Sequence, residues 1–256
     1  MQAESREPAS SKPAPAGPEA RSIELDHDHL RDRHVLLYPD RQDLAAVDVY
    51  RLLRTRLLLQ MRPNGWTRIG ITSAGDKEGK SLTSINLACS LAKSGPDNVV
   101  VVDADLRKPN LADTLGFGVE VGVVDHLVDR TPIEDILVRP HDVSNLFLLP
   151  GRRIEEDLDV PELVGSSAMS EMLSRIGRMK STITIVDLPP VLVGDDVLSL
   201  ASQLDALLLV VEEGRTDIEE LKKAAELTSR FNVLGSVLNK SRHKLERFES
   251  YYYHGQ

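Results

Sequence analysis

The sequence has little with which to staple itself: of 256 residues one is cysteine, one is tryptophan, and aromatic residues make up 4%. A lone thiol closes no internal bridge, so any fold must rest on burial of aliphatic side chains. Cys89 stands among Ala88, Leu91 and Ala92 on an apolar helical face and reads as core packing. Long hydrophobic runs are missing as well. The longest, Ala206–Val211, is far short of the ~20 apolar residues that span a bilayer. The opening Met-Gln-Ala-Glu-Ser-Arg-Glu is followed by no apolar stretch, so the expectation is a cytoplasmic chain, neither exported nor membrane-spanning. Nor is there an excess of positive charge. The net charge is -9 with lysine and arginine scattered, which leaves no basic face to track phosphates, and no nucleic acid is expected as a partner.

What is present is ordinary globular composition, 41% hydrophobic and 28% charged, at a length that suits one open α/β domain. Residues 1–21 hold Pro8, Pro13, Pro15 and Pro18 among Ala, Ser and Glu and are expected to be a disordered tail. Residues 22–42 read as an N-terminal extension, 43–240 as the domain proper, and 241–256 as a linker and tail. Leu44, Val47, Leu52, Leu53, Leu57 and Leu59 predict an amphipathic helix over 43–61, with Asp40 or Asp43 as its cap. β-rich runs follow near 68–73, 99–103, 145–149, 181–187, 206–211 and 233–238. Helical stretches fall near 80–93, 161–178, 195–203 and 217–230. The strands are continuously apolar rather than alternating, which calls for helices on both faces: a doubly wound, mainly parallel sheet. In such a sheet ligands bind at the carboxyl ends of the strands.

Those ends carry the chemistry. Ile69-Gly-Ile-Thr-Ser runs into Ala74-Gly-Asp-Lys-Glu-Gly-Lys-Ser81 and then a helix whose apolar face begins at Leu82. This strand, loop, helix order is the context of a P-loop, in a relaxed form with Ala74 where the strict pattern has glycine. Loop amides and the helix amino terminus would face phosphates, Lys80 would neutralise them, and the Ser81 hydroxyl would ligate Mg²⁺. ATP and Mg²⁺ are therefore the expected ligands, held by Gly75, Asp76, Lys77, Glu78, Gly79, Lys80, Ser81 and Leu82. Val99-Val-Val-Val-Asp-Ala-Asp-Leu-Arg-Lys-Pro ends a strand with Asp103 and Asp105, two apart and so on one side. Ile183-Thr-Ile-Val-Asp-Leu-Pro-Pro ends another with Asp187, the placement from which a P-loop fold organises Mg²⁺. His27, His29 and His34 lie among acids near the N-terminus, with no spacing that fixes a metal geometry, and read as solvated polar residues.

With these motifs in hand, residues 44–256 resemble the catalytic domain of the bacterial tyrosine autokinases that control capsule and exopolysaccharide synthesis. The most specific element is Val-Asp-Ala-Asp-Leu-Arg-Lys-Pro, with Arg107 behind Asp103 and Asp105. Asp48-Val-Tyr-Arg51-Leu-Leu-Arg54 resembles the family's Glu-x-x-Arg-x-x-Arg helix, with Asp in place of Glu, and implies packing into a homo-oligomer. Related division-site and partitioning ATPases carry a signature lysine where this chain has Gly75, and the kinases usually have Pro-Gly where it has Asp76 and Lys77. Gly235-Ser-Val-Leu-Asn239 resembles the segment after the last strand that contacts adenine, which implicates Asn239.

The resemblance implies that Lys80 and the loop amides hold the β- and γ-phosphates. Ser81, Asp105 and Asp187 organise Mg²⁺, Asp103 accepts the phenolic proton, and Arg107 steadies the second loop or the developing charge. Three of the five tyrosines, Tyr251, Tyr252 and Tyr253, cluster in the last six residues and are the expected phosphate acceptors. At about 3.3 Å per extended residue, residues 240–253 span roughly 40 Å, enough to reach a site in the same or a neighbouring subunit. The implied partners are a membrane polysaccharide co-polymerase (chain-length regulator) as activator, recruiting the protein to the inner face of the membrane, and sugar-polymer enzymes as further substrates. A reading of another class stays open at this point: an ATP-binding switch or scaffold that hydrolyses nucleotide without phosphorylating tyrosine.

Overall fold

The computed structural model describes residues 19–153 and 158–242. In chain order the first half contains β1 (Arg21–Ile23), α1 (His27–Asp32), α2 (Leu44–Asn64), β2 (Arg68–Ser73), α3 (Lys80–Ala92), β3 (Asn98–Asp103) and α4 (Leu111–Leu115). Next come α5 (Val123–Asp129), α6 (Ile133–Ile136), β4 (Val138–Pro140), β5 (Leu146–Leu149), α7 (Val160–Gly165) and α8 (Ser167–Gly177). The remainder is β6 (Thr182–Asp187), α9 (Asp196–Ala201), β7 (Ala206–Glu212), α10 (Ile218–Thr228) and β8 (Val233–Asn239).

The strands form one sheet in the order β1-β4-β5-β3-β6-β2-β7-β8. Every neighbouring pair is parallel except β4 with β5. The short pair β1 and β4 therefore runs against the other six strands. Two cores lie on the two faces, and the pleat sorts the side chains between them. Val100 and Val102, with Leu207, Leu209 and Val211, face α5 to α10. Val99 and Val101, with Ala206, Leu208 and Val210, face α1 to α4. This is the doubly wound arrangement that the apolar strands predict.

Several details depart from the sequence expectations. Residues 22–42 are more than an extension: β1 pairs with β4, and Leu30, Val35 and Leu37 are buried in the second core. The turn at His34–Leu36 is pinned to α3 by Asn86, which accepts from the Leu36 amide at 2.8 Å and donates to the His34 carbonyl at 3.0 Å. Asp43 occupies the cap position of α2 but makes no capping bond there; its carboxylate accepts from the Asp40 amide instead. The helix predicted over 161–178 is two, broken at Ser166, whose hydroxyl accepts from the Met169 amide to start α8.

Candidate nucleotide site

The register of the central strands brings the chemistry together. Asp103 at the end of β3 and Asp187 at the end of β6 are paired across the sheet, and Asp187 also lies opposite Ile71 of β2, the strand that feeds the phosphate loop. Gly79 starts α3 at φ 95°, in the left-handed region. A Cβ there would lie 2.0 Å from Nδ2 of Asn239, so both backbone and space require glycine.

The loop is held by bonds that its sequence pattern does not reveal. Ser73 Oγ donates to the Gly75 carbonyl at 2.7 Å. The Glu78 carboxylate accepts from the amides of Ala74 and Gly75, each at 3.2 Å, and from the Thr216 hydroxyl at 2.8 Å. Asn239 Nδ2 donates to the Glu78 carbonyl at 2.9 Å, and Lys240 Nζ to the Lys77 carbonyl at 3.0 Å. Asp76 pairs with Lys108.

Lys80 Nζ lies 2.8 Å from Asp105 Oδ2. Burial works against the Lys80 charge, but Asp187 and Asp105 outweigh it and raise its pKa. Burial, reinforced by the Asp187 carboxylate, pushes the Asp103 carboxyl up. Burial also raises Asp187, against the pull of Lys80. Asp103 Oδ2 accepts from the amides of Asn110 and Leu111 at 2.9 Å each, and Ser84 Oγ lies 3.2 Å from Asp187 Oδ1. The second oxygens, Asp103 Oδ1 and Asp187 Oδ2, are buried with no partner among the described residues. Buried carboxylate oxygens left unsatisfied are costly, and a cation is the usual remedy. No three His, Cys, Asp or Glu side chains converge as a self-sufficient metal cage among the described residues. The donor set, one hydroxyl and two or three carboxylates, fits Mg²⁺ arriving with nucleotide phosphates.

A cavity of about 670 Å³ opens over the loop, a volume of the class that holds cofactors. Asp76, Lys77, Gly79, Lys80, Ser81, Leu82 and Asp105 line it. Gly75, Glu78 and Asn239 do not. Asn239 is the last residue of β8, and its amide donates to the Glu78 carbonyl of the phosphate loop. Arg107 also points elsewhere: its guanidinium bonds the buried Asp196 at 2.8 Å and ties the loop after β3 to α9. It does not line the cavity. Asp103 is likewise walled off, because Gly151 and Pro109 pack over it; a Cβ on Gly151 would lie 2.7 Å from Pro109 and 3.2 Å from Asp103 Cγ. Only Asp105 of the three acids reaches the cavity wall.

Sequence reasoning missed Arg33, Lys108, Asn110, Thr114 and Arg153, which also line the cavity. Arg33 and Arg153 come from segments without a motif, so no local signal marks them. Lys108 and Asn110 sit within and just past the Asp-Ala-Asp-Leu-Arg-Lys-Pro run, where the signal was present. On α2, Asp48 and Arg51 pair at 2.9 Å on the surface, whereas Arg54 turns inward to the Ser90 carbonyl of α3 at 3.0 Å. His27 stacks on Tyr38, and His29 packs on Gly116. Tyr251, Tyr252 and Tyr253 lie outside the described residues.

Loop, strand ends and sheet order together define a nucleotide-binding P-loop protein. Residues 67–253 match the ParA family described as NUBPL iron-transfer P-loop NTPase. The chain is 30% identical over 225 residues to the tyrosine-protein kinase YwqD of Bacillus subtilis, covering 87% of this chain and 92% of that one. It is 31% identical over 176 residues to the succinoglycan biosynthesis transport protein ExoP of Rhizobium meliloti, covering 68% of this chain and 22% of that protein. The solved BceF tyrosine kinase domain superposes with a TM-score of 0.69 at 25% identity, covering 87% and 91% of the two chains. The chain belongs to the bacterial tyrosine kinases within the ParA-type P-loop NTPases.

Proposed function

We propose that the protein is an ATP-dependent tyrosine autokinase of exopolysaccharide or capsule assembly, transferring the ATP γ-phosphoryl group to Tyr251, Tyr252 and Tyr253. The observation that carries this reading is the pairing of Lys80 with Asp105 on the cavity wall, beside the ends of two strands whose Asp103 and Asp187 lie opposite each other behind it. The same cluster would serve an ATPase; the tyrosine-kinase relatives and the tyrosine cluster decide for phosphoryl transfer to phenol.

Lys80, which pairs with Asp105 at the cavity wall, is placed to neutralise the β- and γ-phosphates. Ser81, Asp105 and Asp187 would hold Mg²⁺, which neutralises charge across those phosphates. The phenolic oxygen attacks the γ-phosphorus, the bond to the bridging oxygen breaks, ADP leaves, and the phenolic proton passes to a carboxylate. Asp103 is the proton acceptor in this proposal, because its unpartnered oxygen and raised pKa suit a base near neutrality. A phenol reaches it only after the Gly151 and Pro109 cover shifts. Asp103→Asn, with its shape kept, should bind Mg-ATP within about threefold of the parent yet lose phosphotyrosine formation by roughly 100-fold. Retained phosphotransfer would remove Asp103 from the proton path.

Among the described residues no helix is long and apolar enough to cross a membrane. In our reading a membrane polysaccharide co-polymerase supplies the activating segment and recruits the protein to the inner membrane face. Sugar-polymer enzymes serve as further substrates, and α2 packs copies into a homo-oligomer through Asp48, Arg51 and Arg54.

A further inference from the structure

We propose that Glu78 is a positioning residue for the nucleotide: its carboxylate holds the phosphate loop in its anion-receiving shape and fastens it, through Thr216, to the end of β7. The inference rests on nucleotide occupancy of the loop, not on the identity of the phosphate acceptor. Glu78 is 2% exposed and does not line the cavity, so its side chain is not placed to touch phosphate. A carboxylate this deep persists only where donors surround it. It has three: the amides of Ala74 and Gly75, at the start of the loop, and the Thr216 hydroxyl.

The Thr216 oxygen in turn accepts from the Glu212 amide at 2.9 Å. One hydroxyl thus joins residues 138 positions apart. On the other side of the same peptide, Asn239 at the end of β8 donates to the Glu78 carbonyl. The loop is clamped at its fifth position by the ends of two strands. This clamp turns the helix start, Gly79 to Leu82, towards the cavity, where its amides can face a phosphate; the intrahelical bonds begin with the Thr83 amide on the Gly79 carbonyl.

A second effect works against the first. A buried negative charge behind an anion site repels phosphate, so removing it favours nucleotide electrostatically while releasing the loop. The sign of the net effect decides whether Glu78 serves as brace or brake. Glu78→Gln keeps the shape, but its NH₂ must face a loop N–H and one amide bond is lost.

The test is calorimetric titration of the full chain with Mg-ATP and with Mg-ADP, alongside thermal melting without nucleotide. Glu78→Gln should weaken both nucleotides equally, by roughly tenfold, since the loop holds phosphates common to both. Thr216→Val should weaken them by about threefold, and Thr216→Ser should restore parental affinity. The double variant Glu78→Gln with Thr216→Val should lose less than the product of the single losses, because the two share one bond. Unchanged or tighter binding by a Glu78→Gln protein that melts like the parent would overturn the proposal. Should that variant fail to fold, parental affinity in Thr216→Val overturns it instead. A parent that binds neither nucleotide overturns both this proposal and the ATP reading, whereas a parent that binds with unaffected variants overturns this one alone.

Discussion

The phosphate-binding centre and helix α2 both carry opposed charges three or more residues apart, yet they use them in opposite ways. In the centre Lys80, Asp103, Asp105 and Asp187 are at most 8% exposed, so each charge depends on its neighbours and removing one leaves the others uncompensated. On α2, Asp48 and Arg51 keep 40% and 60% of their side-chain surface in water, where solvent does most of the stabilising. Breaking a buried pair by removing one partner is strongly destabilising, about 3–5 kcal/mol, against about 0–1 kcal/mol for an exposed pair. In the proposed function the same division would apply, with one working arrangement in the centre and surface charges on α2 that are open to a neighbouring molecule.

The largest effect should come from the centre itself. Lys80→Ala should weaken Mg-ATP binding by about 100-fold or more, because the phosphates lose their principal cation while Asp105 and Asp187 remain to repel them. Lys77→Ala, at the fourth position of the loop, should cost about threefold or less, since the bond Lys77 gives the fold is made by its carbonyl to Lys240. Equal losses in calorimetry would erase the distinction between a buried and an exposed cation in this loop.

A smaller effect concerns the strand-end carboxylates in the absence of Mg²⁺. Asp103 is raised from 3.8 to about 7 in the folded chain, so the folded state holds the proton more tightly than the unfolded state. The parent should therefore lose stability as pH rises through that window. Asp103→Asn has no proton to lose, and its carbonyl oxygen can still accept from Asn110 and Leu111. Relative to the parent it should gain stability between pH 4 and 7 and nothing further above, measured by urea unfolding. A parallel pH profile for the two proteins would show that the carboxylate carries no such strain.

The smallest effects belong to α2 and sharpen the comparison from its other side. Arg54→Ala loses the bond to the Ser90 carbonyl and should cost about 1 kcal/mol, whereas Arg51→Ala should stay within about 0.5 kcal/mol. If α2 is an assembly surface, the double variant should shift ATP-dependent oligomers towards monomer by light scattering. An unchanged mass would confine α2 to packing on α3.

How much of this was legible follows the same line between local and distant. The five central strands, β2, β3, β5, β6 and β7, fall where continuous apolar runs predict them, because burial on both faces demands such runs, and the edge strand β8 falls where a shorter, interrupted run predicts it. β1 and β4, each three residues long and carrying arginine, have no periodicity to read. The break at Ser166 had a signal, Gly165 followed by a capping serine, which the apolar pattern on either side overrode. In the site, Lys80, Ser81 and Asp105 were readable because a motif is contiguous in sequence. The bond from Thr216 to Glu78, the shielding of Asp103 by Gly151 and the arrival of Arg33 and Arg153 arise from pairings between distant segments. The loop motif suggests a phosphate ligand; the loop is held partly by its own neighbours, Ser73 and Glu78, and partly by Thr216, Asn239 and Lys240, which no local pattern connects to it.

The central claim, phosphoryl transfer to the tail, is tested most directly by incubating purified protein with ATP, Mg²⁺ and the membrane partner's activating segment, then mapping phosphosites by mass spectrometry. The triple variant Tyr251→Phe, Tyr252→Phe and Tyr253→Phe keeps the aromatic bulk and removes only the nucleophilic oxygens. Tyr38 and Tyr50 are partly buried and their phenols are raised above the usual range, chiefly by burial, so they should contribute little. The account predicts phosphate on Tyr251, Tyr252 or Tyr253 in the parent and loss of most phosphotyrosine in the variant, with Mg-ATP binding intact. ATP hydrolysis in the parent with no phosphate on these tyrosines would contradict it and leave a nucleotide switch in its place.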